Sequence, residues 1–475
     1  MGAINKNQKV FVAMSLKKSL RDLTGQAGGA KKPKIFVAMS GGVDSSVAAA
    51  LLKKEGYDVA GVFMRFWQTR IDADGIDADR CGRDNSCCSV EAEAAALAVA
   101  QKLRIPFYVF NFEKEFKKKV VDDFLTKERA GLTPNPCVVC NPKIKFGLFL
   151  DKALALGADY VATGHYAKIS FIPDVILRAK PEGSLAYASR HSSEIPPAST
   201  RRQGEAGRYA RNDKKALFKL FAAKDKQKDQ SYFLYGLNQA QLSKTIFPLG
   251  DFKKEEVVKL AKKWQLPFYS HESFDLCFVG ASHDKFIKKY LGLKPGKIVS
   301  VSVIPARFAE APARRAKAGI QKSRSRVPPP LKLWRASKPG MTKEMTLGQH
   351  QGLALYTIGQ RAAVGGPGPF YVVKKDIKNN ILYVSNNEKD LYSKEMMVGS
   401  MNWISGRAPK MPWRCGFKTR YQSVMSYGLI RTNMPIKKKN SKVLFDRPQR
   451  AITPGQSAVF YGKNGEVLGG GVIKN

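Results

Sequence analysis

The sequence lacks long apolar runs and has few cysteines and few acidic residues. No run of about 18 apolar residues occurs in the chain, so we expect no membrane-spanning helix. The seven cysteines are odd in number and clustered, which argues against the disulfide framework of a small secreted protein. The first residues show no signal-peptide pattern. These absences favour a protein of the reducing cytoplasm.

The shortage of acidic residues leaves a strong positive charge. Lys and Arg number 81 against 39 Asp and Glu, which gives a formal net charge of +42. Such a field favours a polyanionic partner, and nucleic acid is the first candidate. A generally basic proteome or solvated basic inserts would give the same balance, so the charge alone does not decide the partner.

The most informative segment is residues 40–46, Ser-Gly-Gly-Val-Asp-Ser-Ser. It follows an apolar run typical of a buried strand and precedes an apolar helix face at residues 47–52. A strand, a Gly-rich turn and a helix N-terminus in this order aim backbone N–H groups at one point, which suits a phosphate. The loop lacks the Gly-Lys-Ser/Thr of a Walker loop. An ordinary Gly-rich turn is the alternative.

A near-copy of this strand occurs earlier in the chain. Residues 9–15, Lys-Val-Phe-Val-Ala-Met-Ser, repeat residues 34–40, Lys-Ile-Phe-Val-Ala-Met-Ser, with one change. Only the second copy continues into the glycine loop. We therefore assign nucleotide binding to the second copy and interpret residues 1–33 as an N-terminal extension.

Hydrophobic patterning predicts an α/β Rossmann-like parallel-sheet domain followed by two small mostly-β domains, the last a β-barrel. In the first domain, predicted strands and helices alternate: strands 59–64, 107–110 and 160–163, and helices 90–103, 113–129 and 144–156. After residue 346, short strands alternate with Gly, Pro and Asn turns: 356–361, 370–373, 381–384, 413–418, 442–445, 457–461 and 467–473.

Three tracts without periodicity interrupt the predicted domains. They are rich in Pro, Ser, Gly or basic residues and are interpreted as inserted surface segments, partly disordered. The predicted division is a catalytic domain 34–270 with an insert at 172–208, a central domain 271–387 with an insert at 301–346, and a C-terminal barrel 388–475 with an insert at 425–442.

The cysteines carry three competing interpretations. Cys137 and Cys140 form a C-x-x-C pair in a Pro-rich loop, and Cys277 follows much later. A thiolate in a positively charged cleft would be a nucleophile or sulfur carrier. Alternatively, cysteines would hold zinc or an iron–sulfur cluster, or they are buried structural residues; the candidate metal ligands are Cys87, Cys88, Cys137, Cys140 and Cys277. Cys415, in a predicted strand, is interpreted as structural.

Motifs spread from residue 34 to the end of the chain add a family resemblance. They are residues 38–46, 61–67, 133–146, 162–167, 228–234, 277–278, 348–361, 420–421 and 451–456. Together they resemble the bacterial-type tRNA-specific 2-thiouridylases of the PP-loop ATP pyrophosphatase superfamily. The resemblance implies ATP-dependent 2-thiolation of uridine 34 at the tRNA wobble position. The uracil C2 oxygen would be adenylated, sulfur would come from a cysteine persulfide, and AMP and pyrophosphate would be released.

The resemblance also implies residue roles. Cys140 matches the nucleophile, Cys277 the persulfide carrier, and Asp44 belongs to the catalytic loop. The matching ATP-site residues are Ala38, Met39, Ser40, Gly41, Gly42, Val43, Asp44, Ser45, Met64 and Gly164. The matching tRNA-contacting residues are Asn135, Pro136, Cys137, His165, Lys228, Asp229, Gln230, Arg420, Tyr421 and Gln456. ATP and Mg²⁺ would be required, and the implied partners are the tRNA anticodon arm and a cysteine desulfurase or sulfur-relay protein. A monomer is expected.

One position departs from the family pattern. Many members carry Asp where this chain has Cys137, and a thiol has a higher unperturbed pKa than a carboxyl. The acid/base group is therefore open, as is the choice between thiol chemistry and an iron–sulfur cluster. Competing functions are another PP-loop amidotransferase or ligase, a basic RNA-binding protein with a vestigial nucleotide fold, and a sulfur carrier that does not act on RNA.

Overall fold

The computed structural model describes residues 32–67, 89–172, 217–268, 276–279, 282–301, 345–365, 368–432 and 440–474. The near-copy at residues 9–15 lies outside these ranges, as do Cys81, Cys87, Cys88 and most of the first two predicted inserts. Within the described ranges, no helix has the length and apolar character needed to cross a bilayer.

The described strands number eighteen. In chain order they are β1 Lys34–Ala38, β2 Asp58–Arg65, β3 Phe107–Asn111, β4 Tyr160–Thr163, β5 Ala167–Ile172, β6 Leu217–Ala222, β7 Thr245–Ile246, β8 Gly296–Ser300, β9 Met345–His350, β10 Arg361–Ala362, β11 Phe370–Asp376, β12 Ile381–Ser385, β13 Tyr392–Trp403, β14 Trp413–Lys418, β15 Ser426–Thr432, β16 Ser441–Arg450, β17 Ser457–Tyr461 and β18 Glu466–Lys474.

The helices of the described residues lie within the first 291 residues of the chain. They are α1 Val43–Lys54, α2 Val90–Leu103, α3 (Glu113–Phe116, π-helical Lys117–Val121, Asp122–Arg129), α4 (Cys137–Cys140, π-helical Asn141–Leu148, Phe149–Ala155), α5 Gln239–Leu242, α6 Lys254–Lys263 and α7 His283–Leu291. Short 3₁₀ turns lie at Ser231–Leu234, Leu353–Leu355, Glu388–Leu391 and Lys463–Gly465.

The first domain is built on a five-stranded parallel sheet in the order β3-β2-β1-β4-β7. Along β1, Ile35 and Val37 pack in one hydrophobic cluster with α1 and α2, whereas Phe36 and Ala38 pack in the cluster that includes α3 and α4. Both faces of the sheet are therefore covered, which explains why β1 is a continuous apolar run. The predicted α/β parallel sheet is confirmed.

Helix α4 begins earlier than the sequence predicts. The prediction started at residue 144, but the helix starts at Cys137 and includes Cys140. Pro136 stands at the N-cap, where its missing N–H removes no helical hydrogen bond, and Asn135 Oδ1 accepts the Cys137 N–H at 3.1 Å. The C-x-x-C pair therefore lies on the first turn of a helix and not in a loop.

The second half of the chain contains a mixed sheet and a closed barrel. The mixed sheet has the order β9-β8-β12-β11-β10. Strands β13, β16, β15, β14, β17 and β18 pair in this order, and β13 also pairs with β18, which closes a six-stranded barrel. This confirms the predicted mostly-β half ending in a barrel. Cys415 is buried in β14, where burial raises its thiol pKa to about 12, so it is structural as predicted.

Two sequence predictions in this half are wrong. Residues 356–361 were predicted as a strand, but only Arg361 enters one, and turns with Gly359 at positive φ precede it. The tract 425–442 was predicted as a surface insert, yet it contains β15, whose Ile430 is buried in the barrel core. The basic residues that follow hid this short strand.

A hairpin from the first domain joins the barrel. Strands β5 and β6 pair with each other, and β6 pairs with β18 through Phe221 opposite Glu466 and Leu220 opposite Val467. Gln239 Nε2 strengthens the join, because it donates to the carbonyl oxygens of Phe218 at 2.8 Å and Ile404 at 2.6 Å. The hairpin and the barrel strands therefore form one continuous eight-stranded sheet, separate from the parallel sheet.

Candidate active site

A large cleft opens at the carboxyl ends of β1 and β4. The strand order reverses between these two strands, and ligands of open α/β sheets bind at such a switch point. The cleft has a volume of about 1310 Å³. It contains most of the predicted site residues, namely Ala38, Met39, Ser40, Gly42, Val43, Asp44, Ser45, Met64, Pro136, Cys137, Cys140, Gly164, His165, Lys228, Asp229, Gln230, Tyr421 and Cys277.

The loop after β1 is held in shape by its own serines. Ser45 Oγ accepts the Ser40 N–H at 3.1 Å and donates to the Gly42 carbonyl oxygen at 3.0 Å. No side chain caps the first turn of α1, whose N-cap is Gly42, so the backbone N–H groups of this turn remain available to an anion. Gly164 packs against this turn, since a Cβ there would lie 2.8 Å from Ser45 N.

The Asp44 carboxylate has two partners from distant segments. Lys254 Nζ lies 2.9 Å from Oδ1 and 2.8 Å from Oδ2, and Tyr166 Oη donates to Oδ1 at 2.8 Å. Lys254 opens α6, and its residue type and position in the sequence gave no signal that it would face the loop. Lys254 is therefore a cleft residue that the sequence analysis missed.

Cys140 and Cys277 line the same cleft although they are far apart in sequence. Cys140 is buried, whereas Cys277 is half-buried and packs against the core that contains Cys140. The neighbouring Phe278 anchors Cys277, because its ring packs edge-on against Phe116 and Phe124 of α3. Cys140 is buried because helix α4 turns this residue toward the core.

The described cysteines do not form a metal site. In the described part of the chain, no group of three or more His, Cys, Asp or Glu side chains is arranged to hold a metal ion. Cys137 is exposed and lies on the same short helical turn as Cys140, and Cys87 and Cys88 fall outside the described residues. Among the described residues, Cys137, Cys140 and Cys277 are therefore not joined by a further ligand into a metal-binding group.

The Pro-rich loop before α4 is tied to the barrel. Thr133 N donates to the Pro454 carbonyl oxygen at 2.9 Å, and Gln456 Nε2 donates to the Thr133 carbonyl oxygen at 2.8 Å. Gln456 and Asn135 were predicted to contact tRNA, but both lie outside the cleft lining and make these local bonds. Their observed contacts hold the loop that carries Cys137 and Cys140.

Arg420 links the barrel to the central domain. Its Nη2 atom donates to the carbonyl oxygens of Ile358 at 2.9 Å and Ala451 at 3.0 Å and to Thr453 Oγ1 at 2.6 Å. Burial lowers the pKa of this guanidinium. Arg420 was predicted to contact tRNA, but the structure places its charged group among protein acceptors outside the cleft lining.

We expect Arg420→Ala to lower the stability of the protein. The substitution removes a charged donor from three acceptors. An unshared hydrogen bond to a charged group contributes about 1.5–3 kcal/mol to stability. Because a single Nη2 atom serves all three acceptors, we expect the free energy of unfolding to fall by about 2 kcal/mol in total. Thermal unfolding measures the effect as a Tm lower by several degrees. The matched control is Arg414→Ala, which removes the exposed ion pair with Asp446 and should leave Tm nearly unchanged. Equal shifts in both variants would contradict the role of Arg420.

The loop 225–230 contains three residues predicted to contact tRNA: Lys228, Asp229 and Gln230. Asp229 is buried, and its Oδ1 accepts the N–H groups of Ala223 at 3.0 Å and Ser231 at 3.2 Å. Its carboxylate therefore holds the shape of the loop. Gln230 Oε1 accepts the Tyr166 N–H at 3.0 Å, and Lys228 lines the cleft.

His165 lies in the cleft as an uncharged group. Its Nδ1 is 2.7 Å from Thr163 Oγ1, and its ring lies against Phe146 and Phe247. Burial, with a smaller contribution from Lys145, lowers its pKa well below the usual value. His165 can therefore stack or accept a hydrogen bond at neutral pH, but it supplies no positive charge to an RNA backbone. The cleft also contains cationic, polar and aromatic residues that were not predicted from the sequence: Asn141, Lys145, Lys226, Phe233, Lys254 and Lys418.

Comparison with known proteins gives the family. The tRNA methyl transferase HUP domain matches residues 33–190 and 201–281, its PRC-barrel domain matches 332–386, and the aminomethyltransferase β-barrel domain matches 393–473. A tRNA-specific 2-thiouridylase of Legionella pneumophila (strain Lens) is 37% identical over 456 residues, covering 93% of this chain and 99% of the relative. The chain belongs to the tRNA-specific 2-thiouridylase family.

A second relative agrees with this 2-thiouridylase assignment. The tRNA-specific 2-thiouridylase of Geobacillus thermodenitrificans is 36% identical over 447 residues, covering 93% of this chain and 94% of the relative. Among solved structures, a U34-tRNA thiolase, NcsA, from Methanococcus maripaludis with its [4Fe-4S] cluster matches with a TM-score of 0.30 and 16% identity, covering 56% of this chain and 68% of that chain. The family confirms the resemblance seen in the sequence.

Proposed function

We propose that this protein is an ATP-dependent sulfurtransferase that converts uridine 34 of tRNA to 2-thiouridine. The observation that carries the proposal is that Cys140, Cys277 and the loop after β1 line one cleft. A nucleotide loop alone would suit any PP-loop enzyme, but an amidotransferase or ligase does not need two cysteines beside it. The strong positive charge of the chain supports an RNA substrate.

In the first half of the proposed reaction, the C2 oxygen of uracil attacks the α-phosphate of ATP and pyrophosphate leaves. The oxygen becomes part of a good leaving group, AMP. The loop N–H groups and α1 hold the departing pyrophosphate. Asp44 faces the cleft and is the loop carboxylate able to ligate Mg²⁺, which when bound would offset the phosphate charge.

In the second half, the terminal sulfur of a Cys277 persulfide attacks C2 and AMP leaves. The Cys140 thiolate then attacks Cys277 Sγ, which releases 2-thiouridine and forms a Cys140–Cys277 disulfide. A dithiol reductant returns both cysteines to thiols before the next turnover. The persulfide would be supplied by a cysteine desulfurase or relay protein of the cytoplasm, and we propose that the enzyme acts as a monomer. The base must leave the anticodon stack to enter the cleft.

The test is an anaerobic assay with ATP, a persulfide-generating donor and an anticodon stem-loop RNA. The product is measured as 2-thiouridine by nucleoside mass spectrometry, together with AMP and pyrophosphate. We expect one AMP and one pyrophosphate for each thiolated base and no product without ATP. AMP formation without thiolation of RNA would favour another PP-loop reaction and would contradict the proposal.

A further inference from the structure

The nucleotide loop lacks a lysine of its own, and the fold supplies one from elsewhere. In Walker loops a lysine within the loop reaches the β- and γ-phosphates. Here Lys254, 210 residues from Asp44 in sequence, brings its ammonium to the Asp44 carboxylate. On the basis of the function proposed above, we propose that Lys254 is the pyrophosphate-binding cation of this cleft. Before the nucleotide binds, the Asp44 carboxylate holds the Lys254 ammonium at the loop.

The position of Lys254 is fixed by the packing of its helix. Its backbone N–H donates to Asp225 Oδ2 at 2.9 Å, and α6 packs on α1 through a shared hydrophobic cluster that includes Val257 and Ala261. The start of α6 therefore cannot shift relative to the loop without disturbing this packing. Only the flexible side chain needs to move, and four methylene groups give it the reach to do so.

The Lys254–Asp44 pair is well suited to exchange partners. Both side chains line the cleft and are partly accessible, at 16% for Lys254 and 32% for Asp44. When the ammonium leaves, Asp44 keeps its hydrogen bond from Tyr166 Oη. Pyrophosphate carries several negative charges and many acceptor oxygens, so it attracts an ammonium more strongly than a single carboxylate does.

Other lysines of the cleft have different contacts. Lys226 Nζ donates to the Ala223 carbonyl oxygen at 3.0 Å, and Lys418 Nζ lies 3.9 Å from Asp229. Both of these contacts hold the loop 225–230 and its surroundings. Lys254, in contrast, is bonded to a side chain of the nucleotide loop itself.

The test is calorimetric titration of the full-length protein with inorganic pyrophosphate in EDTA, so that no divalent cation screens the phosphates. We expect Lys254→Met to weaken binding at least about tenfold, because a charge-assisted contact is lost. Asp44→Asn should tighten binding about threefold, because the ammonium is released from its carboxylate. Lys259→Ala, an exposed lysine on the same helix, is the matched control and should leave binding unchanged.

Asp44→Asn could tighten pyrophosphate binding in two ways: it releases the Lys254 ammonium, or it removes the negative charge of Asp44, which repels pyrophosphate. The double variant Lys254→Met/Asp44→Asn distinguishes the two. If Lys254 is the cation, the double variant binds as weakly as Lys254→Met, within about threefold. If the double variant binds as tightly as Asp44→Asn, or if Lys254→Met binds like the wild type, the proposal is overturned. Thermal unfolding verifies that each variant is folded.

The result can be told apart from a failure of the proposed function. Pyrophosphate binding needs neither RNA nor sulfur, so it reports only on the lysine. A wild-type protein that binds pyrophosphate through Lys254 but does not thiolate RNA would overturn the sulfur-transfer function and leave the lysine in place. If the wild-type protein thiolates RNA and Lys254→Met binds pyrophosphate normally, the role of the lysine is overturned and the sulfur-transfer function stands.

Discussion

Cys140→Ser and Cys277→Ser are each expected to reduce tRNA thiolation by on the order of 10³-fold or more. A serine hydroxyl cannot carry a persulfide, and at neutral pH it is a far weaker nucleophile than a thiolate. Neither cysteine lies within the loop that would hold pyrophosphate, so ATP-dependent formation of AMP and pyrophosphate should persist in both variants. The measurement is 2-thiouridine per RNA beside pyrophosphate release in the same reaction.

The two variants should differ in where sulfur accumulates. With Cys277 intact, Cys140→Ser should retain one extra sulfur atom on the peptide that contains Cys277, visible by mass spectrometry, whereas Cys277→Ser should not. Cys415→Ala is the control, because that thiol is buried in the barrel core outside the cleft. It should thiolate RNA at a rate close to that of the wild type. Thiolation at the normal rate in both cleft variants would refute sulfur transfer through these residues.

Gly41→Ala is expected to weaken ATP binding on the order of 100-fold. Gly41 has a φ of +74°, and a Cβ there would overlap the carbonyl oxygen of Ala92 in α2 and lie 3.0 Å from its carbonyl carbon. The obstacle is helix backbone and cannot rotate away, so the loop itself would have to move. Because the loop N–H groups must converge on the phosphates, such a shift removes several contacts together. Equilibrium titration with a fluorescent ATP analogue measures the loss.

Gly157→Ala is the control that separates the effect of backbone strain from the effect of displacing the nucleotide loop. Gly157 has a φ of +82°, but a Cβ there would meet nothing within 4 Å. Gly157→Ala should therefore cost about 1–2 kcal/mol of stability through left-handed strain alone and leave ATP binding intact. If Gly41→Ala binds ATP as well as Gly157→Ala does, the loop after β1 is not the nucleotide site.

Local sequence patterns predicted the parallel-sheet domain well. Helix α2 was predicted at its observed bounds, because its start at Ser89, which accepts the Ala92 N–H, and its alanine-rich buried face are both local signals. Strand β4 was likewise predicted at its observed bounds. These elements depend on residues within a few positions of one another, which is the range over which periodicity is informative.

Features that depend on distant partners escaped the sequence analysis. The π-helical segment Asn141–Leu148 of α4 directly follows Cys140, and no local sequence pattern distinguishes it from an α-helix. The Lys254 ammonium reaches Asp44 only because α6 packs on α1. The family resemblance identified Arg420 and Gln456 as site residues, but their contacts with Ile358 and Thr133 depend on how the domains meet.

The pairing of the β5–β6 hairpin with the barrel limits how this enzyme can be divided into fragments. Because β6 pairs with β18, deleting the barrel would leave an unpaired strand edge on the catalytic half, a surface prone to edge-to-edge association. The same deletion would remove both bonds that hold Thr133 and the segment leading to Cys140. A minimal catalytic fragment therefore has to keep the barrel, and an exchange of barrels between relatives has to preserve the β6–β18 register.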